Sequence, residues 1–303
     1  MKIPTLSTLK KNLILEYIFV LQQWNEKMNL VSRNIQFHVN ETYFDFLNQL
    51  ISAQAPYEKN HSLYSFDKSK HKSEPLYNLD SELLHLENLE LESLHNLDSE
   101  LLNVQSLESE PLHNLDNKPR NEPSLEKISI HTQSSSKNTL GPEDPKTIMY
   151  HIANSIQLAK FIPINNIVAD IGSGNGLPGI LLGILGFETI LIETNTKKCK
   201  FLDHLIQVLL NKDPSLSLRI INKQVQECKN VKFDTLVSRA FSSNVNLLEA
   251  VKSLSYQELI TLKSSSILLN DLKAETIAQT KIKYDIRVTP GFGSNVVIYK
   301  KIN

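Results

Sequence analysis

The chain has 303 residues, a hydrophobic fraction of 41% and a formal net charge of -1, enough apolar material for a sizeable core. Its two cysteines, Cys199 and Cys228, exclude a disulfide framework or a cysteine-built zinc site. The near-zero charge hides a segregation: residues 40–145 hold 19 acidic and 8 basic side chains, which leaves 14 acidic and 24 basic in the remainder. A basic body carrying an acidic insert is compatible with a polyanionic partner.

The first element runs from about Leu6 to Leu30. Leu9, Leu13, Tyr17, Leu21, Trp24 and Met28 recur at helical steps, so an amphipathic helix is expected, with Trp24 in the core. No basic leader or long apolar run is present, and a cytoplasmic, non-membrane protein is expected. Residues 1–39 are taken as an N-terminal helical segment and 40–146 as an insert. The insert carries Asn-Leu-Asp at an 18-residue period, seen in Leu79, Leu97 and Leu115. Its composition favours a disordered or weakly helical stretch over a folded module, and its leucines could still dock on an unidentified partner. His85, His95 and His113 recur with the repeats, so a metal site is not expected.

Residues 147–303 alternate between strand and helix patterns. Strands are expected at Ile167–Asp170, Phe187–Glu193, Leu218–Asn222, Thr235–Arg239 and Leu259–Lys263. Helices are expected at Pro178–Leu185 and Lys197–Asn211, and an antiparallel pair at Lys283–Val288 and Asn295–Lys300. This is an α/β pattern with a mainly parallel sheet covered on both faces.

The chemistry concentrates after the first strand, in Asp170-Ile-Gly-Ser-Gly-Asn-Gly-Leu-Pro-Gly179. Glycines there let backbone approach a ligand with no Cβ in the way. Gly174, Gly176 and Gly179 also spell G-x-G-x-x-G, which leaves a dinucleotide-linked oxidoreductase open. The order Asp170-x-Gly172-x-Gly174-x-Gly176 favours S-adenosylmethionine, with Asp170 near its amino acid end. Glu193, 21 residues after Gly172 at the close of the second strand, suits a carboxylate that accepts from ribose hydroxyls. Val225 and Gln226 follow the third strand, where adenine would lie. Arg239 ends the fourth and faces the cofactor carboxylate or an RNA phosphate, with a structural ion pair as the alternative.

Trp24-Asn25-x-x-x-Asn29-Leu30, His151-Ile152-x-x-Ser155, the glycine run, Lys198-x-x-Phe201-Leu202 and Ser238-Arg239-Ala240-Phe241 occur in one order. The series resembles the RsmG family of 16S rRNA guanine-N7 methyltransferases, also called glucose-inhibited division protein B. The resemblance implies a Rossmann-like class I methyltransferase with a mainly parallel seven-stranded sheet, an antiparallel end strand, N-terminal helices and a long low-complexity insert. It implies S-adenosyl-L-methionine contacts at Gly172, Leu177, Val225, Gln226 and Arg239, with Glu193 on the ribose. It further implies a monomer whose partner is 16S rRNA or the 30S particle, and a reaction without a general base. Three positions depart from the family pattern: Asn154 stands where Asp is usual, Gln226 where the residue is usually acidic, and Ser264 where Gly often follows Leu-Lys. Asn154 and the long insert leave a catalytically decayed RNA- or ribosome-binding protein as a competing reading.

Overall fold

A computed structural model describes residues 6–52, 144–239, 244–264 and 284–301. The 18-residue repeats lie outside the described residues. Helix α1 spans Thr8–Met28; Ser7 caps it, its hydroxyl accepting from the Lys10 amide. The expected apolar seam holds through Leu13, Tyr17 and Leu21, but Leu9 is 45% exposed. Trp24 is half-buried and meets Phe201 and His204 at ring-centroid distances of 5.8 Å. The Asn residues of the Trp24 motif end this helix: Asn29 takes the left-handed conformation at φ 51°, and Asn25 Oδ1 accepts from the Val31 amide at 2.8 Å.

Helix α2, Glu41–Ser52, corrects the boundary placed at residue 40. Tyr43, Phe44, Phe46, Leu47, Leu50 and Ile51 are buried, an apolar face that the acidic average of residues 40–145 concealed. The folded N-terminal part therefore reaches Ser52. At the other end of the insert, Gln36 bridges to Thr147 in parallel, its amide donating to the Lys146 carbonyl at 2.7 Å. Thr147 then caps helix α3, Ile148–Ile156, which runs into a 3-10 turn at Gln157–Phe161.

The remaining elements follow as β1 (Ile167–Ile171), α4 (Gly179–Leu185), β2 (Glu188–Ile192), α5 (Thr196–Lys212) and β3 (Leu218–Ile221). After a short 3-10 turn at Val225–Glu227 come β4 (Thr235–Arg239), α6 (Asn244–Val251), β5 (Glu258–Lys263), β6 (Tyr284–Thr289) and β7 (Asn295–Lys301). Every expected strand is present within two residues of its predicted ends. The sheet order is β3-β2-β1-β4-β5-β7-β6; β1 to β5 are parallel, and β7 is antiparallel to both β5 and β6.

Strand alternation divides the core into two layers. Val168, Leu191, Val237, Ile260 and Ile298 face a layer shared with α1 to α5. Ala169, Ile190, Leu236, Leu259 and Tyr299 face a second layer that includes Leu247, Leu248 and Val251 of α6. Strands buried on both faces read as continuous apolar runs, which is why they were visible in the sequence. Among the described residues no helix is long and apolar enough to cross a membrane, and no His/Cys/Asp/Glu group could hold a metal ion.

Candidate cofactor site

Sheet order decides where the chemistry lies. β1 connects outward to β2, while β4 pairs on its opposite side, so a crevice opens at the carboxyl ends of β1 and β4. The Ser238 hydroxyl closes its floor by donating to the Ile171 carbonyl at 3.1 Å. The carboxyl ends of β3, β2, β1 and β4 are consecutive along this edge. Asp170, Gly172, Gly174, Gly176, Leu177, Glu193, Val225, Gln226 and Arg239 therefore share one side of the sheet.

Asp170 is 0% exposed. Its Oδ2 accepts from the Gly179 amide at 3.0 Å, whereas Oδ1 has no hydrogen-bond partner. Burial pushes the carboxyl up to about 7, and nearby Glu193 adds to that; hydrogen bonds with Gly179 and Ser173, together with Arg239, oppose it. The turn beyond it is shaped by glycine. Gly172, Gly174 and Gly176 have φ of 75°, 53° and 91°, a region where other residues are strained. Gly179 is required by proximity instead: an added Cβ would lie 2.3 Å from Leu191 Cδ2 and 2.7 Å from Asp170 Oδ2.

Glu193 is 7% exposed, just past β2. Its Oε2 accepts from the Gly174 amide at 2.9 Å and Oε1 from the Asn195 amide at 2.8 Å. The side chain expected to meet a ribose thus also fixes the glycine turn, and each oxygen retains a further lone pair. Leu177 is buried beside the turn. Val225 is packed into the second core layer, while Gln226, next to it, is exposed.

Arg239, the last residue of β4, reaches back to α3. Its Nη2 lies 2.5 Å from His151 Nδ1, and Nη1 donates to Ser155 Oγ at 3.3 Å and the His151 carbonyl at 3.5 Å. These partners are neutral: burial holds the His151 imidazole down at about 4, and the guanidinium beside it adds to the effect. Among the described residues, the structural ion pair considered for Arg239 is not among its contacts. Burial lowers the guanidinium's own value, opposed by the Tyr17 and Tyr150 hydroxyls and by Asp170. A partly buried cation with neutral partners thus lies within electrostatic reach of a buried carboxyl with one unused oxygen. That is the charge pattern for an α-amino acid group.

Two features of the turn disfavour a dinucleotide. The Gly179 amide is occupied by Asp170, and the Ile180 amide donates to the Gly176 carbonyl at 2.7 Å. Pyrophosphate recognition relies on such helix-start amides being available.

Sequence reasoning missed what two side chains contribute. Tyr17, read as core, donates its hydroxyl to the Asn175 carbonyl at 3.2 Å. Asn154, which stands where Asp is usual, donates from Nδ2 to the Phe292 carbonyl at 2.8 Å and to Ser294 Oγ at 2.7 Å. Gln157 completes this latch, its Nε2 donating to the Phe292 carbonyl and its Oε1 accepting from the Phe292 amide. The amide at 154 therefore fastens the β6–β7 turn to α3, and a carboxylate could not donate to that carbonyl.

Seven strands in this order, with an acidic residue and a glycine turn ending β1, define a Rossmann-like fold of the class I methyltransferase type. A family model described as rRNA small subunit methyltransferase G matches residues 129–292, and the chain belongs to that family. It is 34% identical over 125 residues to a ribosomal RNA small subunit methyltransferase G of Rickettsia bellii (strain OSU 85-389), across 41% of this chain and 62% of the relative. The corresponding protein of Rickettsia africae (strain ESF-5) is 34% identical over 128 residues, across 41% and 64%. The chain thus spans somewhat over three-fifths of the length of these relatives. Among solved structures, a ribosomal protein L11 methylase from Lactobacillus delbrueckii subsp. bulgaricus aligns with 50% of this chain and 80% of its own, at 15% identity and a TM-score of 0.38.

Proposed function

We propose that this chain transfers the methyl group of S-adenosyl-L-methionine to N7 of a guanine in 16S rRNA, acting as a monomer on the rRNA or the 30S particle. The observation that carries the cofactor half is the pairing of a buried Asp170, one oxygen unused, with a partly buried Arg239 whose described partners are neutral groups. The acceptor half rests on family membership.

The cofactor supplies an electrophilic methyl group on a positively charged sulfur. Guanine N7 offers an in-plane lone pair and carries no proton, so the protein need not remove one. Catalysis then rests on holding the two partners in line. Arg239 takes the cofactor carboxylate, and Asp170 balances the cationic end directly or through the turn. Gly172, Gly174, Gly176 and Leu177 form the wall against the amino acid portion. Glu193 uses its remaining lone pairs on the ribose hydroxyls while its other contacts keep the turn rigid. Val225 and Gln226 border the adenine. Arg33, Lys197, Lys198 and Lys200 supply phosphate contacts at the rim.

Asn154 does not argue for a decayed site, because its amide has structural work at the β6–β7 turn. The test maps N7-methylguanine in 16S rRNA from cells with and without the gene, alongside calorimetry with S-adenosylmethionine. Loss of one modified guanine and binding of the cofactor are expected. An unchanged map overturns the methylation, and heat from NAD but not from S-adenosylmethionine overturns the cofactor.

A further inference from the structure

The N-terminal helix touches the glycine turn at one polar atom. Tyr17 is completely buried in α1, which packs on both α4 and α5. Its hydroxyl donates to the Asn175 carbonyl at 3.2 Å. Gly174 and Gly176, both at positive φ, flank that residue, so the Asn175–Gly176 peptide joins two of the least restricted positions in the turn. The turn is held from the β2 side by Glu193 Oε2 on the Gly174 amide and from the α1 side by Tyr17 on the next carbonyl. The Asn175 side chain braces the following residue by accepting from the Leu177 amide at 3.2 Å. Burial raises the Tyr17 phenol far above its ordinary range, so the hydroxyl stays a donor at any physiological pH. Asp170 and Arg239 both lie within electrostatic reach of it.

We propose that Tyr17 is a positioning residue for the cofactor: its hydroxyl fixes the Asn175–Gly176 peptide, and α1 is thereby a working wall of the site rather than packing alone. A turn fixed before the ligand arrives loses less conformational freedom on binding, so affinity rises without a new contact to the ligand. The inference rests on reading the turn as an S-adenosylmethionine site.

Tyr17→Phe in the full chain removes the hydroxyl and keeps the ring. Lys10→Met is the comparison, because Lys10 Nζ ties the same helix to the Leu185 carbonyl at 3.0 Å, at the far end of α4 from the turn. Calorimetry with S-adenosylmethionine should show Tyr17→Phe raising Kd about fivefold, the worth of one neutral hydrogen bond. At saturating cofactor, kcat should stay within about twofold, whereas Lys10→Met should lower Tm and leave Kd unchanged. Amide hydrogen exchange in residues 172–177 should quicken in Tyr17→Phe without any ligand, and so gives a readout independent of the cofactor. Wild-type affinity and unchanged exchange in Tyr17→Phe overturn the role of the hydroxyl. An equal rise of Kd in Lys10→Met overturns it too, since helix docking alone would then set the affinity. Absence of S-adenosylmethionine binding by the unsubstituted chain overturns the cofactor reading itself, whatever the exchange shows.

Discussion

Asn154→Asp exchanges one amide nitrogen for a carboxylate oxygen at a side chain that is 5% exposed. In the native chain that nitrogen donates to Phe292 and Ser294 at 2.8 and 2.7 Å. The substitution loses both donations and sets a carboxyl oxygen against the Phe292 carbonyl. Two neutral hydrogen bonds are worth about 2 kcal/mol together. Burying a charge against a carbonyl adds to this, and the group responds by holding its proton, which raises its pKa above the usual carboxylate range. While protonated, the new side chain can still donate once to Phe292, so the loss in acid is about 1 kcal/mol. At neutral pH it reaches about 3 kcal/mol, or a Tm lower by roughly 6–12 °C for a domain of this size. The sign follows from linkage: a folded-state carboxyl pKa above the unfolded one gives stability that is present at low pH and lost as pH rises through the folded value. Thermal melts of both chains between pH 4 and 8 should therefore show a gap that widens with pH. Asn154→Ala should give a smaller, pH-independent loss, since Gln157 Nε2 still serves the Phe292 carbonyl. A gap that is constant with pH, or below that of the alanine variant at pH 8, would refute this account of the latch.

Gly179→Ala should destabilise by about 1–3 kcal/mol through overpacking against Leu191 and Asp170, and it should also weaken S-adenosylmethionine binding as Asp170 is displaced; melts and calorimetry on one sample check both. Asp170, with its carboxyl pushed up to about 7, is mostly neutral at pH 5.5 and mostly ionised by pH 7.5. Affinity for the net-positive cofactor should rise across this window, by at most about tenfold per pH unit, and flatten in Asp170→Asn. His151, held down at about 4, stays neutral throughout and contributes no slope. A flat calorimetric profile for the unsubstituted chain would sink the electrostatic role given to Asp170.

The strands were legible because burial on both faces makes them unbroken apolar runs, and the glycine turn because positive φ and close approach restrict residue choice locally. The helix Glu41–Ser52 was not, since its apolar face was averaged into an acidic stretch that begins at the same point. Glu193 was identified from its spacing, but its contacts with Gly174 and Asn195 belong to a turn and a strand end that meet only in the fold. Arg239 announced itself by its place at the end of β4. Nothing in the order of residues said that His151 and Ser155, more than 80 positions earlier, would be its ligands. Tyr17 and Asn154 show the same limit from opposite sides. One sat on an apolar seam and read as core, the other replaced a charged residue and read as a loss; each is polar chemistry with a backbone carbonyl as its partner. Composition and periodicity carry information about burial and local conformation, which depend on neighbours along the chain. A hydrogen bond to a distant carbonyl depends on where the chain returns, and only the tertiary structure decides that.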